Sequence, residues 1–413
     1  MTQQTLDGHG CHAGQDPGIW ELVPVADYRL PHTPAVRAAQ ARWGSLKRLF
    51  GGHRYQDERP VRAEADLRGL SEQQLDALVA AVDWGLGANL LERIVGTNEA
   101  GDAVCFVIAP PGSGHVDLLH RWATEQGASW ITPPKYQDIL EAGPTWLADW
   151  PSDARYWVLP RLEHCWLRHA AGLALVRELL DRALAGRLGH GIIGCDSWAW
   201  AYFRYVAPLP TRSALTLQAC DGERLAALFR DLVAQEALGQ VRFCNAQTGK
   251  LVLAVGGEDD DDGGAELQSL AAHCRGNAGL ARELWRGRLR AEPKAKGTGE
   301  GAARQEAGAA ADNEDDATTV WVAAPPEEPA LMADGDEELA LVLHALLLHN
   351  GLPSPLLAEL LPLPSFRVQA SLHRLVAAGV VAAAPAGHCR ITAPSYPAAR
   401  ELLRSQGFLV DDF

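Results

Sequence analysis

The 413-residue sequence predicts a mixed α/β protein built on a parallel sheet, followed by a smaller domain of helices and one hairpin. From residue 104 to 235, short apolar runs alternate with amphipathic stretches of helical length. This alternation is typical of a parallel sheet covered on both faces. A stretch rich in Ala, Gly, Glu and Asp then interrupts the apolar pattern, which resumes as three helical periods and a short hairpin.

The acidity of the chain is concentrated in two segments. The formal net charge is −15, of which residues 298–338 carry −11 and the EDDDD run at 258–262 carries −5. The rest of the chain therefore sums to +1. This distribution disfavours nonspecific nucleic-acid binding by the whole chain, and it leaves the partners of each folded domain open.

Composition excludes several classes of protein. With 47% hydrophobic and 22% charged residues, the chain has ample material for a core. It has no run of about 18 uncharged apolar residues and no basic start before an apolar block, so we expect a cytoplasmic protein without membrane insertion. None of the eight cysteines forms a CxxC pair, which predicts buried thiols and no metal site.

The chain begins with a weakly patterned segment. Residues 1–69 are rich in Gly, Pro and His, which predicts a poorly ordered N-terminal segment with one short helix at Ala35–Phe50. Apolar residues then recur at three- and four-residue steps over Leu70–Val95, which predicts a helix with a capping box of Ser71 and Gln74.

Residues 70–264 carry the pattern of the α/β domain. The predicted strands are Val104–Ile108, Ser129–Thr132, Tyr156–Leu159, Gly191–Cys195 and Ala214–Leu217. The predicted helices are His115–Gln126, Trp166–Leu184 and Gly222–Gln235. Val241–Asn245 and Leu251–Val255 flank a Thr-Gly turn and predict a hairpin.

A helical pair and a linker follow. Glu266–Arg275 and Ala278–Arg290 predict two helices, so residues 265–292 are expected to form a small helical unit. Residues 293–338 have little apolar content apart from Thr319–Val322, which predicts a mostly disordered acidic linker.

Residues 339–413 predict a second compact domain. Its elements are helices at Leu339–His349, Ser354–Leu361 and Ser365–Ala378, strands at Val380–Ala384 and His388–Thr392, and a helix at Ala398–Gln406. Three helices followed by a short hairpin is the element order of a winged-helix domain.

A glycine-rich turn, APPGSGHV, joins the first strand of the α/β domain to the next helix. Backbone N–H groups at such a turn bind phosphate. The candidate nucleotide-binding residues are Pro111, Gly112, Ser113, Gly114, His115 and Val116. Against GxxxxGK[ST], His115 replaces the lysine and Val116 replaces the hydroxyl residue that holds Mg²⁺. An ordinary strand-to-helix turn that binds nothing stays open as the alternative.

The PPGSG run at Pro110–Gly114 and the element order over Ala103–Arg290 resemble the AAA+/STAND group of P-loop ATPases, whose loops often read GPPGSGK. The resemblance implies a P-loop NTPase-like sheet with a helical lid at 265–292, and ATP or ADP as the ligand. In that group the lysine and the hydroxyl neutralise and position the transferred phosphoryl group. Because this chain lacks both, we expect slow turnover or none, and no bound Mg²⁺.

The resemblance also implies catalytic and sensor positions. Where the group has an Mg²⁺-binding Asp followed by Glu, this chain has Arg161 and then Glu163, the candidate catalytic, water-orienting base. Asp196 and Ser197 match the sensor position after the fourth strand, and Arg282 matches a lid arginine that can touch the γ-phosphate. A solvent-facing helix cap for Glu163 and an N-cap for Asp196 stay open as alternatives.

The C-terminal domain carries little positive charge. Residues 336–413 have five arginines, no lysine and seven acidic residues, a net charge of −2. Arg367, Gln369 and Arg374 on its third helix are the candidate DNA contacts. Because a DNA-binding winged helix presents a basic face, we expect this domain to pack against the nucleotide domain or a protein partner.

Two functions are therefore expected. The first is a degenerate ATP-binding protein, a pseudo-ATPase or very slow ATPase, that acts as a nucleotide-dependent scaffold or switch through a protein partner or a homo-oligomer. The alternative is a DNA-binding winged-helix regulator with an inert P-loop domain. A third hypothesis is a purely structural partner of another ATPase subunit, in which the active neighbour supplies the lysine and the acid.

Overall fold

The computed structural model describes twelve stretches of the chain. They are residues 18–31, 61–96, 102–141, 145–151, 154–207, 209, 214–234, 238–255, 264–292, 318–325, 336–384 and 387–413. These residues form a mixed α/β architecture with a mostly parallel central sheet, as the sequence predicts. The short helix expected at Ala35–Phe50 lies outside the described residues, as does the EDDDD run.

The elements are numbered in chain order. The strands are β1 (Leu22–Pro24), β2 (Arg68–Gly69), β3 (Val104–Ala109), β4 (Ser129–Trp130), β5 (Tyr156–Leu159), β6 (His190–Asp196), β7 (Ala214–Leu217), β8 (Val241–Asn245), β9 (Leu251–Val255), β10 (Leu289–Ala291), β11 (Thr318–Val322), β12 (Leu352–Pro353), β13 (Val381–Ala383) and β14 (His388–Ile391). The helices are α1 (Glu72–Leu78), α2 (Gly85–Gly96), α3 (His115–Gln126), α4 (Tyr136–Leu140), α5 (Thr145–Ala148), α6 (Ala174–Leu184), α7 (Ser197–Val206), α8 (Gly222–Asp231), α9 (Gly264–His273), α10 (Ala278–Arg288), α11 (Glu337–Leu348), α12 (Ser354–Leu360), α13 (Ser365–Ala377) and α14 (Tyr396–Ser405).

The central sheet has the order β1-β7-β3-β6-β5-β4. All neighbours from β7 to β4 pair in parallel, and β1 pairs antiparallel with β7 at the edge. Every residue of β3 is buried, because helices cover both faces of this strand. The expectation of a poorly ordered N-terminal segment is wrong at β1, where Trp20 also packs against Trp84 with ring centroids 4.5 Å apart.

A second sheet crosses the domain boundaries expected from the sequence. Its order is β2-β10-β11-β8-β9, and β11 pairs in parallel with β8 along five residues. The expected linker at 293–338 is therefore wrong over Thr318–Val322, because the apolar side chains of Val320, Trp321 and Val322 are buried there. The other residues expected to form the linker lie largely outside the described ranges.

Two helices are shorter than the sequence pattern predicts. The helix expected over Leu70–Val95 divides into α1 and α2, because residues between them bond elsewhere: Ala80 N donates to Leu232 O at 2.9 Å. The helix expected from Trp166 begins at Ala174, because Gly172 turns back so that its carbonyl accepts from Leu167 N at 3.1 Å. Helical periodicity alone does not reveal these tertiary partners.

The C-terminal residues form α11 to α13, the small sheet β12-β14-β13 and α14. Helix α11 is buried on nearly all sides, since it packs between α7 of the α/β domain and α13 and α14 of its own. A helix that is apolar all round is typical of such a position. In the part of the chain that the structure describes, no helix combines the length and apolarity that crossing a membrane requires.

Candidate functional site

The glycine-rich loop lies at the carboxyl edge of the central sheet, between β3 and α3. Gly112 and Gly114 have φ values of 75° and 87°, in the left-handed region that favours glycine. Gly114 is the N-cap of α3 and provides no side-chain cap. The first N–H groups of α3 therefore have no capping side chain, which is the local requirement for binding an anion.

His115 cannot supply the positive charge that a lysine would supply. Its ring is buried, and its Nδ1 lies 3.2 Å from Ser113 Oγ. Burial, together with the nearby Arg161 guanidinium, lowers the pKa of His115 to about 3. The imidazole is therefore neutral at pH 7. Its Nε2 is buried and has no hydrogen-bond partner among the described residues.

Glu163 lies behind the loop, in the short turn that follows β5. Its side chain is fully buried, so a solvent-facing cap is excluded. Glu163 Oε2 accepts from Asp196 N at 3.0 Å, and Oε1 lies 3.7 Å from Arg161 Nη1. Burial raises the pKa of Glu163, and Arg161 opposes that rise. A buried carboxylate already held by these groups has little freedom to orient water.

The polar residues that end β6 and begin α7, Asp196 and Ser197, are both engaged in structural contacts. Asp196 pairs in register with Ala109, the last residue of β3, so it lies beside the start of the loop. Its Oδ1 accepts from Trp198 N at 3.0 Å, which makes it the N-cap of α7. Burial, and secondarily Glu163, raise the pKa of Asp196 well above its usual range. Ser197 Oγ donates to the Asp411 carboxylate.

Arg282 on α10 bonds to backbone groups away from the loop. Its Nε and Nη2 donate to Ala80 O at 3.1 and 2.9 Å, and Nη2 also donates to Val79 O at 3.1 Å. These bonds hold α10 against the segment that follows α1. The structure therefore does not bring the Arg282 guanidinium together with the loop as the sensor expectation requires.

Three residues that sequence reasoning missed close the loop from its sides. Asn277 caps α10 and donates through Nδ2 to Pro111 O at 2.8 Å. A Cβ added at Gly279 would lie 1.8 Å from Gly112 O, so α10 packs directly on the loop backbone. On the other side, a Cβ at Gly114 would lie 2.4 Å from the ring of Trp84. The Gly-Asn-Ala-Gly run at 276–279 is the signal in the sequence for this close approach.

A cavity of about 460 Å³ reaches the loop from the C-terminal domain. Pro111 and Gly112 form one wall, and Leu280 and Glu283 of α10 form another. The C-terminal domain supplies the remaining lining residues, which include Asn350, Gly351, His388, Arg390, Thr392 and Tyr396. The volume and the mixed apolar and polar lining are typical of a small-molecule pocket at a domain junction.

The candidate DNA contacts lie on α13, separate from the loop. Arg374 pairs with Asp336 at 2.7 Å, and Arg367 pairs with Glu338. Gln369 donates to Ser354 Oγ at 2.7 Å. Acidic side chains thus neutralise both arginines, which weakens the positive potential a phosphate backbone would need. DNA binding stays a prediction.

No family model and no curated protein matches this chain. Within the described ranges, no group of three or more His, Cys, Asp or Glu side chains is arranged to hold a metal ion. The residues at the loop fit a phosphate group, because uncapped amides are available. They do not fit Mg²⁺, because neither Val116 nor Arg161, the residues at the positions expected to hold the metal, has a side-chain oxygen to offer.

Proposed function

We propose that this chain is a degenerate AAA+/STAND-like P-loop protein that binds ATP or ADP at the Gly112–Val116 loop. Nucleotide binding, and not nucleotide hydrolysis, would switch its conformation. The observation that carries the proposal is the uncapped N-terminus of α3 behind two left-handed glycines, at the carboxyl edge of a parallel sheet. In open α/β sheets, ligands bind outside the carboxyl ends of the strands. Oriented amides there attract a phosphate.

Hydrolysis is not part of this proposal. A neutral His115 leaves the developing charge on a transferred phosphoryl group without its lysine. Val116 and Arg161 occupy the two positions that would hold Mg²⁺, and neither side chain supplies an oxygen ligand. Glu163 is buried and accepts a hydrogen bond from Asp196 N. Each of these losses opposes turnover independently.

The switch would act through the position of the C-terminal winged-helix domain. The cavity beside the loop is lined by both domains, so a nucleotide that enters it contacts both. A ligand shifts a conformational equilibrium by its difference in affinity for the two states. Nucleotide bound here would therefore favour the docked arrangement, in which the two domains pack against each other. A protein partner or a second copy of the chain would bind selectively to that arrangement.

Calorimetric titration of ATP and ADP into the full chain tests the proposal. We expect micromolar binding that does not depend on Mg²⁺. Val116→Glu places a carboxylate in the first turn of α3, where it suits the helix dipole but repels phosphate, and should weaken binding about tenfold or more. Thr124→Glu adds the same charge to an exposed position late in the same helix and should leave binding unchanged.

Two results would contradict the proposal. Absence of heat and of any thermal shift with either nucleotide would reduce the α/β domain to a scaffold. Phosphate release at the rate of an ordinary ATPase, abolished by Glu163→Gln, would show an active enzyme. In that case the buried carboxylate must become accessible during turnover.

A further inference from the structure

The segment Leu409–Phe413 lies between the two domains and contacts both. On the side of the C-terminal domain, His344 Nε2 donates to Leu409 O at 3.1 Å. On the side of the α/β domain, Arg275 Nε donates to Phe413 O at 2.6 Å, and Ser197 donates to Asp411. This short segment therefore joins α11 to the start of α7 and to the turn before α10.

Asp411 is the polar anchor of the segment. Its carboxylate is fully buried and is paired with Arg400, whose Nε lies 2.9 Å from Oδ1. Tyr396 OH donates to Oδ2 at 3.4 Å, and Arg400 Nη2 also donates to the Asp411 carbonyl at 2.6 Å. A carboxylate can be buried this deeply only where a cation and hydroxyl groups replace its water.

Phe413 is the apolar anchor, two residues further on. Its ring is buried and lies 4.7 Å from the ring of Tyr28. Asp412, between the anchors, points to solvent and forms an exposed ion pair with Arg204 at 2.8 Å. Alternation of buried, exposed and buried side chains is the pattern of an extended peptide held in a groove.

We propose that Leu409–Phe413 is an internal peptide ligand, here called the latch, that locks the C-terminal domain onto the carboxyl edge of the central sheet. The groove, formed by Ser197, Tyr396, Arg400, Arg275 and Tyr28, recognises an acidic residue followed two positions later by an aromatic residue. The latch closes on Ser197, next to the Asp196 that borders the loop. This inference rests on the hydrogen bonds, the ion pair and the ring contact of the latch, and it does not depend on nucleotide binding.

Hydrogen exchange on the full chain tests the latch. Asp411→Asn keeps the shape of the side chain but removes the charge that pairs with Arg400. We expect amides of α7 and α11 to exchange at least about tenfold faster, equivalent to about 1.4 kcal/mol. Asp412→Asn is the matched control, because it removes only a solvent-exposed ion pair with Arg204 of α7, and it should accelerate exchange by no more than about twofold. Equal exchange in the two variants would overturn the proposal.

A second variant and a peptide guard against a simple folding defect. Ser197→Ala removes one contact of Asp411 and leaves Arg400 paired, so it should accelerate exchange in the same segments by a smaller factor. A labelled peptide of sequence QGFLVDDF should bind the full-length double variant Asp411→Asn/Phe413→Ala, whose own latch is weakened. The same peptide with Asn at the position of Asp411 should bind at least tenfold more weakly. Equal binding of the two peptides, or no binding of either, would contradict the groove.

Discussion

At the scale of single residues, the loop is shaped by what packs against it. The carbonyl of Gly112 meets α10 at Gly279, and Gly114 meets the ring of Trp84. Behind the loop, Glu163 and Asp196 are buried carboxyl groups whose pKa values are raised chiefly by burial. The close backbone contact should affect stability, and the buried ionisable groups should affect how stability depends on pH. Substitutions at these residues test both effects.

Gly279→Ala should destabilise the protein. An added methyl group would overlap the Gly112 carbonyl oxygen, and both partners are backbone, so α10 must move away. We expect the free energy of unfolding to fall by about 2 kcal/mol, as for an overpacked contact. Gly287→Ala is the control in the same helix, because a Cβ there meets nothing within 4 Å. It should raise stability by up to about 1 kcal/mol. Urea denaturation measures both, and equal effects would refute the close contact.

Asp196→Asn should change how stability depends on pH. The folded-state pKa of Asp196 lies above its ordinary value, so its contribution to stability is lost as pH rises through that folded pKa. Asparagine keeps the acceptor for Trp198 N and removes the charge. The variant should therefore gain stability relative to the wild type as the pH rises above the ordinary Asp pKa of 3.8.

Asp221→Asn provides the comparison for that experiment. Asp221 caps α8 in the same way, through a bond from Arg224 N at 2.9 Å, but it is exposed. Its replacement removes the same kind of helix cap at an exposed position, and urea unfolding of both variants across the pH range is the measurement. An Asp196→Asn profile parallel to the wild type across this range would exclude a buried, charge-disfavouring environment at Asp196.

At the scale of elements, β11 is the most informative. It forms an interior strand of the second sheet, between β10 and β8, although most residues around it in sequence are Ala, Gly, Glu and Asp. Its five residues are β-branched or aromatic, which suits a pleated and half-buried surface. The segment between the helical pair and the C-terminal domain therefore contributes one buried strand to the second sheet.

Val320→Ala should therefore be destabilising, although residues 293–338 have the composition of a linker. Val320 is buried between neighbouring strands, and we expect a loss of about 2 kcal/mol in the free energy of unfolding. Thr318→Ala, at the exposed first position of the same strand, should change stability by less than about 0.5 kcal/mol. Denaturant titration of both variants is the measurement. If neither substitution changes the free energy of unfolding, the interpretation of this segment as a linker would be restored.

At the scale of the whole molecule, buried histidines lie where the two domains meet. His349 Nδ1 lies 3.5 Å from Glu163 O, and His344 Nδ1 lies 3.3 Å from Arg168 Nη1. Burial lowers the pKa of each of these two rings to about 4, and that of His115 to about 3. The docked arrangement therefore requires neutral imidazoles at the interface.

Acid should weaken the docked structure well before ordinary acid denaturation. Because the folded-state pKa values of His344 and His349 lie below the ordinary 6.5, the unfolded state binds more protons between about pH 6.5 and 4. Stability present at pH 7 should fall through that window, by up to about 1.4 kcal/mol per pH unit for each histidine. The raised pKa values of Glu163, Asp196 and Asp411 act in the opposite sense and reduce the slope.

Urea unfolding of the full chain at pH 7.5, 6.0 and 5.0 measures this slope. His344→Gln should flatten it, because glutamine has no proton to take up. His120→Gln, on the exposed face of α3, is the control for the same substitution outside the domain interface. Identical slopes for the wild type and both variants would show that the interface does not keep His344 neutral.

The local features of this protein follow from its amino-acid sequence. Apolar runs marked β3, β5, β7, β8 and β9, and the glycines of the loop marked a turn between β3 and α3. These features follow from neighbours within a few residues, where periodicity and turn chemistry act. The nucleotide role of the loop stays a prediction from that local pattern.

Contacts between residues far apart in the chain could not be predicted from the sequence and are seen in the fold. The pairing of β11 with β8, the bonds of Arg282 to Val79 and Ala80, and the contact of Gly279 with Gly112 join residues far apart in sequence. The residues that flank β11 in sequence are rich in Ala, Gly, Glu and Asp, and this composition favours a disordered linker where the structure has a strand. Such contacts form because burial and hydrogen bonding are satisfied across the fold, and no short-range pattern specifies which partners will provide them. The latch is of this kind, since Asp411 becomes a buried anchor only when Ser197 and Arg400 are brought to it.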